Sequence, residues 1–99
     1  ETMVIVALNA REERVGFASV TSNKHFTGQP QAYIGELAST EEAESQGVGR
    51  ALVAACEEWT RANGYSLITL TTWAGNDRAL GFYRHLGYVD EDVTLTKQL

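Results

Sequence analysis

Chemistry is most legible at two short segments of this chain. The first, Gln46-Gly47-Val48-Gly49-Arg50-Ala51, opens a stretch with helical spacing. At a helix start the first N–H groups lack intrahelical acceptors and the positive end of the dipole points outward, so glycines there admit a phosphate to bare backbone. Arg50 adds a charged fork. The same two glycines equally suit a tight turn and close packing. No Gly-Lys-Ser/Thr ending makes a P-loop, and Leu52 stands where a dinucleotide fingerprint has its third glycine. The second segment, Asn76-Asp77-Arg78-Ala79-Leu80-Gly81-Phe82-Tyr83-Arg84-His85-Leu86-Gly87-Tyr88, joins a capping pair to adjacent aromatics and ends in an aromatic after glycine. Cys56 has no histidine near it in sequence and reads as a small buried residue, not a nucleophile. With only His25 and His85 beside it there is no ligand set for zinc, and no metal is expected.

These segments need elements to hold them. Met3 to Leu8 is a β-branched apolar run that ends at Asn9-Ala10-Arg11-Glu12-Glu13, and Val15 to Val20 resumes the pattern, which reads as a β-hairpin. Thr21 to Pro30 reads as a loop, Ala32 to Ala38 as a third strand, and Ser39 to Gln46 as a polar connection. Val48, Ala51, Leu52, Ala55, Trp59 and Ala62 fall on one helical face that Asn63-Gly64 stops. Tyr65 to Thr72 is a fourth strand, Asn76-Asp77 caps a short helix that runs toward Gly87, and Val93 to Thr96 is a closing strand. The resulting order is strand, strand, strand, helix, strand, helix, strand: a mixed α/β domain over residues 1–99 without internal repeats. Trp59 reads as core, Trp73 as core or as lining of a substrate site, and His85 as surface.

Composition limits the class of partner. Ninety-nine residues with 43% hydrophobic content make one small core. Eight Lys plus Arg against thirteen Asp plus Glu give a net charge of −5, the wrong sign for holding nucleic acid by bulk charge. No apolar run approaches the roughly 20 residues that span a bilayer, and no leader pattern opens the chain. A soluble, cytoplasmic protein is expected.

Taken together and in this order, the two segments resemble the GNAT superfamily of acetyl-CoA-dependent N-acetyltransferases, with the likeness covering Tyr33 to Tyr88. The resemblance implies a GNAT-like acyltransferase fold and acetyl-coenzyme A as co-substrate. It also implies direct acetyl transfer to a primary amine of a small molecule or protein in a ternary complex. The glycine turn, Glu44 through Ser45, Gln46, Gly47, Val48, Gly49, Arg50 and Ala51, would cradle the coenzyme pyrophosphate. The short helix would place Asn76, Ala79, Phe82 and Tyr83 beside the pantetheine and thiol, with Asn76 bonding pantetheine, capping the helix, or both. Backbone groups of Leu37, Ala38 and Ser39 would pair with pantetheine amides as an added strand does, and one N–H there would polarise the thioester carbonyl. Tyr83 resembles the family's acid for the departing thiolate, against a plain packing role beside Phe82. Glu36 is the candidate general base, against a solvated glutamate with a water chain in its place.

Two departures from the family pattern stand out. Glu44 occupies a position where the family usually has Arg or Gln, and Ser45 one where glycine is common. Family members also carry a strand and one or two helices before the hairpin that begins here at Met3, so the chain reads as minimal or truncated at its start. An uncovered face would follow, and with it a homodimer or association with another chain. A coenzyme-binding or interaction domain without complete catalysis is the alternative from another class. Glu41, Glu42, Glu44, Asp90, Glu91 and Asp92 would favour a cationic acceptor if they rim the pocket, although acidic runs are usually solvated surface.

Overall fold

A computed structural model describes residues 2–99; Glu1 lies outside the described residues. Strands β1 (Thr2–Leu8), β2 (Arg14–Lys24), β3 (Pro30–Ser39) and β4 (Ile68–Leu70) form one sheet in the order β1-β2-β3-β4. The first three run antiparallel, and β4 lies parallel to β3. The hairpin is fixed locally: Asn9 Oδ1 accepts from the N–H groups of Arg11 and Glu13 at 2.9 and 3.0 Å, an Asx-type turn that reverses the chain.

Helix α2 (Val48–Ala62) lies across one face of the sheet. Its stripe buries Leu52 and Cys56 against Ala18, Val20, Ala32 and Ile34, with Trp59 packed at the margin and Val53 buried outside this cluster. Asn63 and Gly64 end it as the sequence indicates, Gly64 taking a φ of 83° that an L side chain rarely adopts. The approach of α2 to β2 is close at Gly16. A Cβ there would lie 2.9 Å from the Ala38 carbonyl oxygen and 3.1 Å from Val48 Cγ1. Gly16→Val is therefore expected to destabilise the fold by about 2–3 kcal/mol in urea unfolding, because backbone and helix must both give way. On the opposite face Val4, Val6 and Phe17 stay exposed and line a shallow groove with Ala38.

The structure corrects several sequence boundaries. The loop expected over 21–30 shrinks to residues 25–29, because β2 and β3 continue their pairing to Lys24↔Pro30. The connection over 39–46 contains a short helix, α1 (Glu41–Glu44), whose Ala43 N–H donates to the Thr40 hydroxyl at 3.1 Å. The fourth strand keeps only Ile68–Leu70 of the expected 65–72, since its pairing with β3 ends at Ile34↔Leu70. Residues 93–96 form no strand: Val93 and Leu95 stand 78% and 88% exposed, their alternating pattern unmatched by any ladder partner. Side chains anchor the segment after helix α3 (Asp77–His85) instead, with Glu91 Oε1 2.7 Å from His25 Nε2 and Asp90 paired to Arg84.

Candidate active site

The site begins with a defect in the β2–β3 ladder. Ser19 pairs with Glu36, and the next residue, Val20, pairs with Ile34, so Gly35 is an extra residue in β3. Such a bulge bends the strand and changes its twist. Beyond it β3 keeps β2 on one side, through Leu37↔Ala18, Ala38↔Phe17 and Ser39↔Gly16, while its pairing with β4 has already ended. The backbone of 36–39 thus presents an unpaired edge to the gap. The strands part into a cleft of about 200 Å³, walled by Ile34 to Leu37 on one side and Leu70, Thr71 and Thr72 on the other. Asn76, Ala79 and Tyr83 of the α3 segment close its third side.

Of the expected site residues, Glu36, Leu37, Asn76, Ala79 and Tyr83 therefore line one cleft. The Tyr83 ring is held edge-on between Phe82 and Tyr88, with centroids 5.0 and 5.8 Å away. Tyr88 is in turn fixed by its hydroxyl, which donates to Glu57 Oε2 at 2.8 Å. Burial pushes the Tyr83 phenol above the ordinary tyrosine value, with a smaller contribution from the Cys56 side chain. The phenol is protonated at neutral pH, as an ordinary tyrosine is, and burial extends that range upward. Asn76 Oδ1 accepts from the Ala79 N–H at 3.1 Å, which caps α3, and its amide nitrogen has no partner among the described residues. Glu36 is an exposed carboxylate at the cleft mouth.

The glycine turn lies at the start of α2. Gly47 is the N-cap with φ 79°, a left-handed conformation that suits glycine, and it brings no side-chain cap. The first bond of the helix runs from Ala51 N–H to the Gly47 carbonyl at 3.0 Å, leaving the N–H groups of Val48, Gly49 and Arg50 ahead of it. A Cβ on Gly49 would sit 3.4 Å from Phe82 Cζ and 4.0 Å from Leu37 Cδ2, ordinary contact distances. Packing alone does not require glycine at 49, and the added methyl would occupy the passage between Leu37 and Phe82. Bare N–H groups and an open approach fit a diphosphate. The side chains of Glu44 and Ser45 are engaged elsewhere, Glu44 with Arg78 at 3.0 Å and Ser45 Oγ donating to the Glu42 carbonyl at 2.9 Å.

Cys56 is fully buried, and desolvation with the nearby Glu57 carboxylate pushes its thiol up to about 11. Only about one part in a thousand is thiolate at pH 8. Native protein is expected to react with a thiol reagent no faster than it unfolds; stoichiometric labelling within seconds would contradict this burial. Trp73 is 77% exposed, its ring laid over Gly75, so it is not core. His85 is exposed, as expected. Five residues of the cleft wall escaped the sequence reading: Gly35, Ile34, Leu70, Thr71 and Thr72. A lone glycine inside a strand pattern was the available signal for the first. Among the described residues no group of His, Cys, Asp or Glu is placed to hold a metal, and no helix is long and apolar enough to cross a membrane.

Residues 1–88 match the family model for the acetyltransferase (GNAT) family. The chain belongs to the GNAT family. Its fold agrees with solved GNAT structures and others. A provisionally assigned acetyl transferase from Pyrococcus furiosus superposes with a TM-score of 0.92 at 28% identity, covering 100% of this chain and 66% of that one. A transcriptional regulator from Bacillus halodurans C-125 gives 0.83 at 33% identity, covering 99% of this chain and 66% of its own. An aminoglycoside acetyltransferase from an uncultured soil metagenomic sample, in complex with trehalose, gives 0.80 at 26% identity, with the same coverage of 99% and 66%. This GNAT chain thus spans 66% of the length of each. A search of curated proteins gives no significant match.

Proposed function

We propose that this chain carries the coenzyme site and transfer cleft of an N-acetyltransferase that moves acetyl from acetyl-coenzyme A to a primary amine by direct attack in a ternary complex. The observation that carries the proposal is the bulge at Gly35, which frees one edge of β3 opposite the phenol of Tyr83. Bound acetyl-coenzyme A supplies an acetyl group activated as a thioester. The N–H groups at Val48 to Arg50 take the diphosphate, and the open edge from Leu37 to Ser39 pairs with the pantetheine amides as a strand would. An N–H on that edge polarises the acyl carbonyl, and the Asn76 amide nitrogen offers a further donor. Glu36, at the mouth, draws the cationic acceptor and takes its ammonium proton directly or through water. As the C–N bond forms and the C–S bond breaks, Tyr83 donates its phenolic proton to the departing thiolate, and the proton then shed by the attacking nitrogen restores the phenol. The buried, protonated thiol of Cys56 argues against an acetyl-enzyme.

Calorimetry with coenzyme A, followed by thiol release from acetyl-coenzyme A across a panel of mono- and polyamines, tests the proposal. Saturable binding with amine-dependent thiol release is expected. Binding with no turnover on any amine would leave a coenzyme-binding module in place of an enzyme.

A further inference from the structure

Arg78 lies outside every role assigned so far, and its surroundings give it one. The start of α2 and helix α3 are neighbours, since the Cβ position of Gly49 is 3.4 Å from Phe82 Cζ. Arg78 and Phe82 stand four residues apart on α3 and so share the face that looks toward the glycine turn. The guanidinium is held there by Glu44, with Arg78 Nη2 donating to Glu44 Oε2 at 3.0 Å. Glu44 belongs to the turn itself, for its carbonyl accepts the N–H of Gly47 at 3.3 Å. One ion pair therefore ties the two motifs together at the end of α2 where the N–H groups are bare.

The pair is built to exchange. Its side chains are 81% and 39% exposed, and an ion pair in water holds only weakly. A phosphate is a better partner for a guanidinium than a solvated carboxylate, because it accepts a bidentate fork with more charge. The neighbourhood also calls for a cation. Glu41, Glu42 and Glu44 lie on the short helix that leads into the turn and Asp77 adjoins Arg78 in sequence, whereas Arg61 and Arg84 stand in the last turns of α2 and α3, away from the start of α2. Arg50 and Arg78 are left as the arginines beside the turn.

We infer that Arg78 is a phosphate ligand for the coenzyme, held in readiness by Glu44 and released to the diphosphate when it docks. This inference rests on the coenzyme site proposed above. In the ligand-free protein Glu44 holds one nitrogen of the fork; in the complex phosphate oxygens replace the carboxylate, and Glu44 turns to solvent. Glu44 thus acts as a competitor that lowers affinity, where an uncharged residue would leave Arg78 free.

Calorimetry with coenzyme A on the wild type, Arg78→Gln, Arg78→Lys and Glu44→Gln tests this, with thermal melts of the ligand-free proteins as control. Arg78→Gln is expected to weaken binding about tenfold. Arg78→Lys should recover part of the loss, because it keeps the charge but not the fork. Glu44→Gln should tighten binding about threefold at low salt, a change of opposite sign. Ligand-free melting midpoints should stay together, since the exposed pair contributes little to the fold. Wild-type binding with Arg78→Gln within a factor of two of it would overturn the inference alone. Weaker binding by Glu44→Gln would overturn the competition between carboxylate and phosphate. Failure of every protein, wild type included, to bind coenzyme A would overturn the site and this inference with it.

Discussion

Tyr83→Phe is expected to lower kcat on the order of 100-fold while coenzyme affinity stays nearly intact. The substitution removes one oxygen and keeps the ring, so the edge-on packing against Phe82 and Tyr88 at 5.0 and 5.8 Å survives. The groups on α2 and β3 proposed to bind the coenzyme are untouched. What is lost is a proton at the cleft wall, which any tyrosine carries at neutral pH and which burial retains to higher pH than the ordinary value of 10.0. The sign of the pH dependence follows. A general acid serves while protonated, so the wild type should hold its rate as pH rises until the pH passes the ordinary tyrosine value, and only then lose it. The variant should lack that alkaline limb. Steady-state kinetics from pH 7 upward, paired with calorimetry, read both effects. A kcat within a factor of two of wild type would make Tyr83 a packing residue, with solvent protonating the thiolate.

Local signals were legible in the sequence, and non-local ones were not. Helix α2 follows from its apolar spacing and its Asn63-Gly64 stop, and α3 from Asn76, whose side chain caps it through a bond three residues long. Both helix starts that frame the proposed site belong to this class. The bulge is different, because Gly35 becomes an extra residue only through the register that β3 adopts against Ser19 and Val20 of another strand. The short β4 has the same origin: Thr71 and Thr72 suit a strand by propensity, yet the bend in β3 takes away their partner and turns them into cleft wall. Val93 to Thr96 fails for a related reason, since alternation makes a strand only where an edge receives it. Arg78 and Glu44 lie 34 residues apart, and nothing in either segment by itself announces their pairing. Glu44 stands out in sequence only as a departure from the family pattern; the structure gives that departure a partner.

Gly49 separates a ligand cradle from an ordinary turn, because two substitutions there pull stability and binding in opposite directions. A methyl at this position meets Phe82 and Leu37 at 3.4 to 4.0 Å, contacts the fold accepts. Alanine also favours helix over glycine by up to about 1 kcal/mol, so Gly49→Ala should leave the ligand-free melting point unchanged or raised. The same methyl stands between Leu37 and Phe82, where the proposed site admits a diphosphate to the first N–H groups of α2, and coenzyme affinity should fall. Gly49→Val adds branches that press on Phe82 and fill the passage further, and its binding should weaken by about tenfold or more, or at least 1.4 kcal/mol. A turn that needed glycine for packing alone would show the reverse order, with the fold destabilised and affinity lost only in proportion. Gly47 supplies the internal comparison: its φ of 79° makes any side chain there strain the backbone, although a Cβ would meet nothing within 4 Å. Gly47→Ala should therefore lower the melting point where Gly49→Ala does not. If both alanine variants melt lower and bind coenzyme A as the wild type does, the glycines serve the turn and the phosphates lie elsewhere.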